Sequence, residues 1–159
     1  LCREGRIHTA LDTCGHAGWA IYERLLPFVD LVLYDLKLID RERHRAATGV
    51  YPDRILENAR RIAQGGIPLW VRTPVVPGYT DDEENISRLT GYIRDELSSV
   101  ERWDLLAYTN LGQPKYRRLS RPYPLEGADL PTRAKMERLH ALALAGRVDV
   151  AVWSGAVQD

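Results

Sequence analysis

Residues 30–37 read Asp30-Leu31-Val32-Leu33-Tyr34-Asp35-Leu36-Lys37, an apolar run that closes on two opposite charges two residues apart. A stretch so rich in Leu and Val, behind Pro27 and ahead of a charged helical segment, predicts a strand buried on both faces, as in a parallel sheet. Its two-residue period puts Leu31, Leu33, Asp35 and Lys37 on one face and Val32, Tyr34 and Leu36 on the other. Two charges at the end of a buried strand are costly unless something pairs with them or binds them. In α/β proteins that something is usually a ligand at the carboxyl ends of the strands.

The rest of the chain repeats the pattern. Residues 7–12, 67–73, 102–108 and 148–153 read as further strands. Helices are expected at about 19–26, 40–47, 53–64, 80–97 and from Pro131 or Thr132 to Gly146. Asp53 is a candidate N-cap, Gly65-Gly66 a helix stop, and Thr80 with Glu83 a capping box. Between the fourth strand and the last helix a long loop carries Gly112, Pro114, Pro122, Pro124 and Gly127. Such alternation predicts α/β architecture with parallel strands. It does not separate an open doubly wound sheet from part of a barrel, but no Gly-rich dinucleotide fingerprint follows any strand.

With 159 residues, 45% of them hydrophobic, the chain is expected to form a single domain over 1–159. Its 22 basic and 22 acidic residues cancel, which argues against nucleic acid or an anionic membrane as partner. No apolar run reaches the ~18 residues of a membrane span and no signal peptide opens the sequence, so a cytoplasmic location is expected. The chain opens in what reads as the end of a helix, residues 1–5, and its single methionine is Met136, so it is expected to be a piece of something longer. Cys2 and Cys14 match no zinc or cluster spacing and are expected as small buried hydrophobes. His8, His16, His44 and His140 show no ligand spacing. The pairs Glu101-Arg102 and Arg117-Arg118 read as solvated charges.

Polar residues stand at or near the ends of the first four strands: Asp12, Asp35 with Lys37, Arg72 and Thr109. Parallel strands would bring these ends to one rim, where two carboxylates and two cations suit a zwitterion. Each residue also has a structural role open to it. Asp12 could cap a turn, Asp35 and Lys37 could neutralise each other, Arg72 could pair with Asp35, and Thr109 could be an ordinary loop residue.

Four segments, taken in order, resemble the glycyl-radical-enzyme activating enzymes, the pyruvate formate-lyase activating enzyme-like group of the radical S-adenosylmethionine (SAM) superfamily. They are His8-Thr9-Ala10-Leu11-Asp12-Thr13-Cys14-Gly15, Leu33-Tyr34-Asp35-Leu36-Lys37, residues 70–81 from Trp70 through Arg72 to Asp81, and residues 105–112 with Lys115-Tyr116. The resemblance covers about residues 1–125. It implies the carboxyl-terminal part of a partial (β/α)6 TIM-like barrel that holds SAM and a [4Fe-4S] cluster at its top rim. It also implies reductive cleavage of SAM to a 5′-deoxyadenosyl radical, a glycyl radical enzyme as protein substrate, and a reductant such as flavodoxin or ferredoxin. Carried over by position, Asp12 would approach the SAM amino group or an adjacent cation, and Thr13 would line that cation site. Asp35 and Lys37 would hold the methionine moiety, and Arg72 would lie near SAM or the substrate peptide. Thr109 stands where many members have a histidine after Pro-Tyr, so a hydroxyl would replace that contact. The family's C-x-x-x-C-x-x-C motif and Gly-Gly-Glu block are absent and are expected upstream of Leu1. Cys2 and Cys14 do not substitute for them, so no metal ligand is assigned and this piece alone is expected to be inactive.

Two other readings fit the same residues: a barrel aldolase with Lys37 as Schiff-base lysine and Asp35 or Asp12 as proton shuttle, and a degenerate domain that only binds a partner protein.

Overall fold

The computed structural model describes residues 1–158. Its strands are β1 (Ala10–Thr13), β2 (Leu31–Asp35), β3 (Leu69–Val75), β4 (Val100–Ala107) and β5 (Ala151–Ser154). Helices α1 (Trp19–Leu25), α2 (Arg41–Thr48), α3 (Asp53–Gln64), α4 (Glu83–Glu96), α5 (Gln113–Arg118) and α6 (Arg133–Ala145) connect or follow them, with 3₁₀ turns at Leu26–Phe28 and Asn110–Gly112. The strands form one sheet in sequence order, β1-β2-β3-β4-β5, and every neighbouring pair is parallel. No helix among the described residues is long and apolar enough to cross a membrane.

The strand order resolves what the alternation left open. A doubly wound sheet reverses its order at a switch point; this sheet never does. The helices accordingly pack on one face. There Val32, Tyr34, Val71, Trp103 and Leu105 join Tyr22 of α1, Ile62 of α3, Leu89 of α4 and Met136 of α6 in a single core. The opposite face, carrying Leu33, Asp35, Trp70, Arg72 and Leu106, is only half buried. β2 is therefore buried on one face rather than on two, and the sheet is part of a barrel whose concave side is lined by the charged residues. Inside the core the polar atoms of Trp103 and Thr73 are satisfied in a chain that runs from β4 through β3 to the residue after β2. Trp103 Nε1 donates to Thr73 Oγ1 at 2.9 Å, and Thr73 Oγ1 donates to the Leu36 carbonyl at 2.7 Å.

Several local expectations need correction. Helix α4 is capped by Asp82, whose side chain accepts from Asn85 N at 2.9 Å; the Thr80 hydroxyl is already engaged by Val76 N and the Pro74 carbonyl. Pro52, not Asp53, occupies the N-cap of α3, and Asp53 is its first residue. Residues 1–5 form hydrogen-bonded turns rather than a helix end. The long loop contains α5, which has Pro114 in its first turn, where a missing N–H costs nothing. Cys2 and Cys14 are both exposed, not buried.

Candidate functional site

Register sets which side chains meet. Asp35 of β2 lies opposite Arg72 of β3, and Arg72 lies opposite Asp104 of β4, while Asp12 of β1 stands one row back opposite Leu33. Period-two alternation then brings Asp12, Asp35, Lys37, Arg72 and Asp104 onto the half-open concave face near the carboxyl ends of the strands.

Arg72 is the hub. Its Nε donates to Asp35 Oδ1 at 3.0 Å and its Nη1 to Asp12 Oδ2 at 2.9 Å, while Nη2 reaches Asp12 Oδ1 and lies 2.7 Å from Asp35 Oδ1. The guanidinium thus bridges β1 and β2 with all three nitrogens engaged. Lys37 Nζ donates to Asp35 Oδ2 at 3.2 Å, completing a group of two carboxylates and two cations with no formal net charge. The Arg72 hydrogen bonds are the largest influence on Asp12 and hold its carboxyl below the usual carboxylate range. The same bonds, with Asp35 beside them, raise Arg72 further above its already high value.

The four strand-end charges expected from the sequence are therefore in one cluster. The two threonines lie outside it. Thr13 Oγ1 is 2.9 Å from the Tyr22 hydroxyl and accepts from Gly15 N at 3.0 Å, on the helix-covered side. Thr109 precedes the 3₁₀ turn and makes no side-chain capping bond. Sequence reasoning also passed over a second pair on the concave face. Arg102 Nε and Nη2 donate to Asp104 Oδ2 and Oδ1 at 2.7 and 2.8 Å, and the Arg102 guanidinium stacks 5.3 Å from the Trp70 ring. Arg102 is thus no simple solvated charge. The signal was its alternation with the buried Trp103, which puts Arg102 and Asp104 on the face opposite the helices.

The loop after β1 is tightly placed. Asn58 of α3 donates to the carbonyls of Gly15 and Ala17 at 2.7 and 2.9 Å. Gly15 has φ +76°, and a Cβ there would lie 1.8 Å from the Tyr34 hydroxyl, which donates to the Ile55 carbonyl at 2.6 Å. Only glycine satisfies both the left-handed backbone and that approach. Burial pushes the Tyr34 phenol up, so it remains a donor. Beside Lys37 an apolar cleft of about 250 Å³ opens between Leu38, Pro74, Val76, Tyr79 and Leu125.

The donor set matches a zwitterionic amino acid: carboxylates for an ammonium, a lysine and an arginine for a carboxylate, and apolar lining alongside. The methionine end of SAM has this chemistry, and the residues fit it. An iron–sulfur cluster does not fit them. Among the described residues no three His, Cys, Asp or Glu side chains are grouped to hold a metal, and the cysteines stand apart at positions 2 and 14.

Known proteins give the same direction. The sequence model of the family described as the radical SAM superfamily matches residues 1–90. The isethionate sulfite-lyase activating enzyme of Nitratidesulfovibrio vulgaris is 43% identical over 142 residues, covering 88% of this chain and 45% of that protein. The pyruvate formate-lyase-activating enzyme of Streptococcus mutans is 40% identical over 138 residues, covering 83% and 52%. The pyruvate formate-lyase 1-activating enzyme of Escherichia coli K12 is 36% identical over 143 residues, covering 89% and 58%. This chain spans about half the length of these relatives. Among solved structures, a domain of pyruvate-formate lyase-activating enzyme from Bacteroides vulgatus superposes with TM-score 0.79 at 23% identity, covering 97% of this chain and 85% of that one. Streptococcus suis SuiB bound to S-adenosylmethionine superposes with TM-score 0.69 at 16% identity, covering 98% and 33%. A parallel sheet wound in one direction, a zwitterion-shaped charge cluster at its rim and a family match over more than half the sequence lead to one assignment: the chain belongs to the radical SAM superfamily.

Proposed function

We propose that this chain is the carboxyl-terminal part of the barrel of a glycyl-radical-enzyme activating enzyme and that its own contribution is to hold and orient SAM. The observation that carries the reading is the cluster of Asp12, Asp35, Lys37 and Arg72 on one half-open face. The names of the relatives support an activase, with pyruvate formate-lyase or isethionate sulfite-lyase as candidate partner enzymes. When bound beside a reduced [4Fe-4S] cluster, SAM supplies the power to abstract a hydrogen atom, here from a backbone glycine.

This chain's residues do the positioning. Asp35 and Asp12 would accept hydrogen bonds from the SAM ammonium in place of part of their bonding to Arg72, and Arg72 and Lys37 would donate to the SAM carboxylate. Held at that end by both carboxylates and both cations, SAM would be oriented by these four residues of the chain. The Gly15 loop, held by Asn58 and Tyr34, fixes the end of β1 behind Asp12, while the Thr13 hydroxyl stays engaged by Tyr22 and Gly15 N on the helix-covered side and takes no part in a cation site; Thr109 stands in the place of a histidine contact after β4. The cluster ligands are proposed to be the upstream cysteine motif of the family, and the electron donor a flavodoxin or ferredoxin in the cytosol, on the strength of the family resemblance.

The Schiff-base reading draws no support from the geometry: Lys37 is bonded to a carboxylate, whereas an amine nucleophile is favoured by apolar or cationic surroundings. The decisive experiment is anaerobic iron–sulfur reconstitution of the full-length protein, followed by SAM titration and electron paramagnetic resonance with each candidate partner. A glycyl radical on the partner that requires SAM and reductant is the expected result. A reconstituted full-length protein that binds no SAM, or cleaves it without ever producing a glycyl radical, would overturn the proposal.

A further inference from the structure

Between Asp104 and Glu126 the sequence contains no acidic residue, yet it places Lys115, Arg117, Arg118 and Arg121 within seven positions. All four side chains are exposed. Several arginines elsewhere in the molecule pair with a carboxylate, among them Arg43, Arg72, Arg94, Arg102 and Arg138. Among the described residues these four cations have no such partner. Two apolar side chains flank them, Leu111 at 81% exposure and Leu119 at 56%.

The patch is held in place. The Tyr116 ring meets Tyr123 edge to face with centroids 5.0 Å apart, and the Tyr123 hydroxyl lies 2.7 Å from that of Tyr108 at the end of β4. Leu119 N and Arg121 N donate back to the carbonyls of Lys115 and Tyr116 at 3.1 and 3.0 Å. Tyr116 therefore anchors the inner side of α5 while its arginines stay on the solvent side. α5 follows the carboxyl end of β4, so in a parallel sheet it sits on the same rim as Asp35 and Lys37. The same connection sends Leu125 into the cleft that Lys37 lines.

We infer that Leu111, Lys115, Arg117, Arg118, Leu119 and Arg121 form the docking surface for an acidic face of the glycyl radical enzyme. The inference rests on the activase reading and names where that partner lands. Four unmatched cations in a chain of no net charge are complementary to a carboxylate-rich surface, and they would speed its capture. The exposed leucines favour a protein over a nucleic acid, because a polyanion leaves them in water whereas a protein interface covers them. Position favours the substrate enzyme over the electron donor. The substrate must bring a glycine to the rim where SAM is held, whereas a donor needs only the cluster, whose ligands lie outside the described residues.

The test uses the full-length reconstituted protein with whichever of pyruvate formate-lyase and isethionate sulfite-lyase it activates. In Arg117→Glu/Arg118→Glu/Arg121→Glu the association rate constant, read by stopped-flow at low salt, is expected to fall about 10- to 100-fold. Its dependence on ionic strength should flatten, with SAM affinity in the absence of partner unchanged. The milder Arg117→Gln/Arg118→Gln gives a smaller fall in the same direction and serves should the reversal disturb folding. An unchanged rate and salt slope overturns the inference. So does a variant that binds partner normally but is reduced slowly by flavodoxin, which would make the patch the donor's. If the wild-type chain yields no glycyl radical at all, the activase reading fails and this inference with it; a wild-type radical with indifferent variants overturns this inference alone.

Discussion

Replacing Arg72 by methionine removes the cation that ties β1 to β2 and keeps a stem of comparable reach. Asp35 retains Lys37 at 3.2 Å, but Asp12 is left without a side-chain partner among the described residues. The Asp12 side chain is 63% exposed, so its share is that of a surface pair, about 1 kcal/mol at most. Arg72 and Asp35 are 22% and 27% exposed, and a half-buried contact of that kind contributes about 1 kcal/mol more. The sum, about 2 kcal/mol, corresponds to a fall in Tm of about 4–8 °C for a domain of this size. The effect also carries a pH signature. Asp12 is held below the usual carboxylate range, so its contribution is fully present above its unfolded-state pKa and is lost as pH falls through the lower folded-state value. The penalty of Arg72→Met is therefore full near neutrality and shrinks below about pH 4. Urea denaturation of the full-length chain, in a double-mutant cycle with Asp12→Asn, should give a coupling of about 0.5–1 kcal/mol at neutral pH and a smaller one in acid, once the pH is below the usual carboxylate range. A coupling that is absent at neutral pH, or the same at both, refutes the assignment of Arg72 as the hub.

Gly15→Ala should cost about 2–4 kcal/mol in thermal unfolding, from strain at φ +76° and collision with Tyr34. Adding Tyr34→Phe recovers only a fraction of the loss, because the ring carbon bearing the hydroxyl still lies 2.3 Å from the new methyl. Lys37→Met should weaken SAM binding to the reconstituted full-length protein at least about 10-fold by calorimetry while leaving circular dichroism unchanged. Borohydride with small aldehydes should trap nothing on Lys37; a stable adduct there would revive the aldolase reading. Asp82→Ala should destabilise by about 1–2 kcal/mol through loss of the α4 cap, whereas Glu83→Gln should change urea stability by less than about 0.5 kcal/mol. Equal effects of the two would restore the capping box.

What could be read from the sequence follows from where one rule acted alone. Asp35 and Lys37 were legible because nothing but strand alternation governs residues 30–37, and the same rule carried Asp12 and Arg72 to the rim. Arg102 and Asp104 were missed because two charges around a tryptophan resemble solvent-facing residues until Trp103 is known to fill the core. The α4 start was misplaced because Thr80, Asp81, Asp82 and Glu83 offer competing caps. The choice is made by tertiary contact, since the Thr80 hydroxyl is taken by the preceding turn. α5 was invisible as a helix because six residues have little propensity of their own and depend on Tyr116 meeting Tyr123.

With every nitrogen of Arg72 already bonded, a ligand enters this site by exchange rather than by filling a vacancy. A bare carboxylate that captured Arg72 would strand Asp12 and Asp35 as excess negative charge. A bare amine that captured the aspartates would strand Arg72 and Lys37 as excess positive charge. A molecule carrying both groups on one carbon replaces both sets of bonds at once and leaves the balance unchanged. The ion-paired resting state thus works as a filter that simple anions and cations fail and an α-amino acid passes.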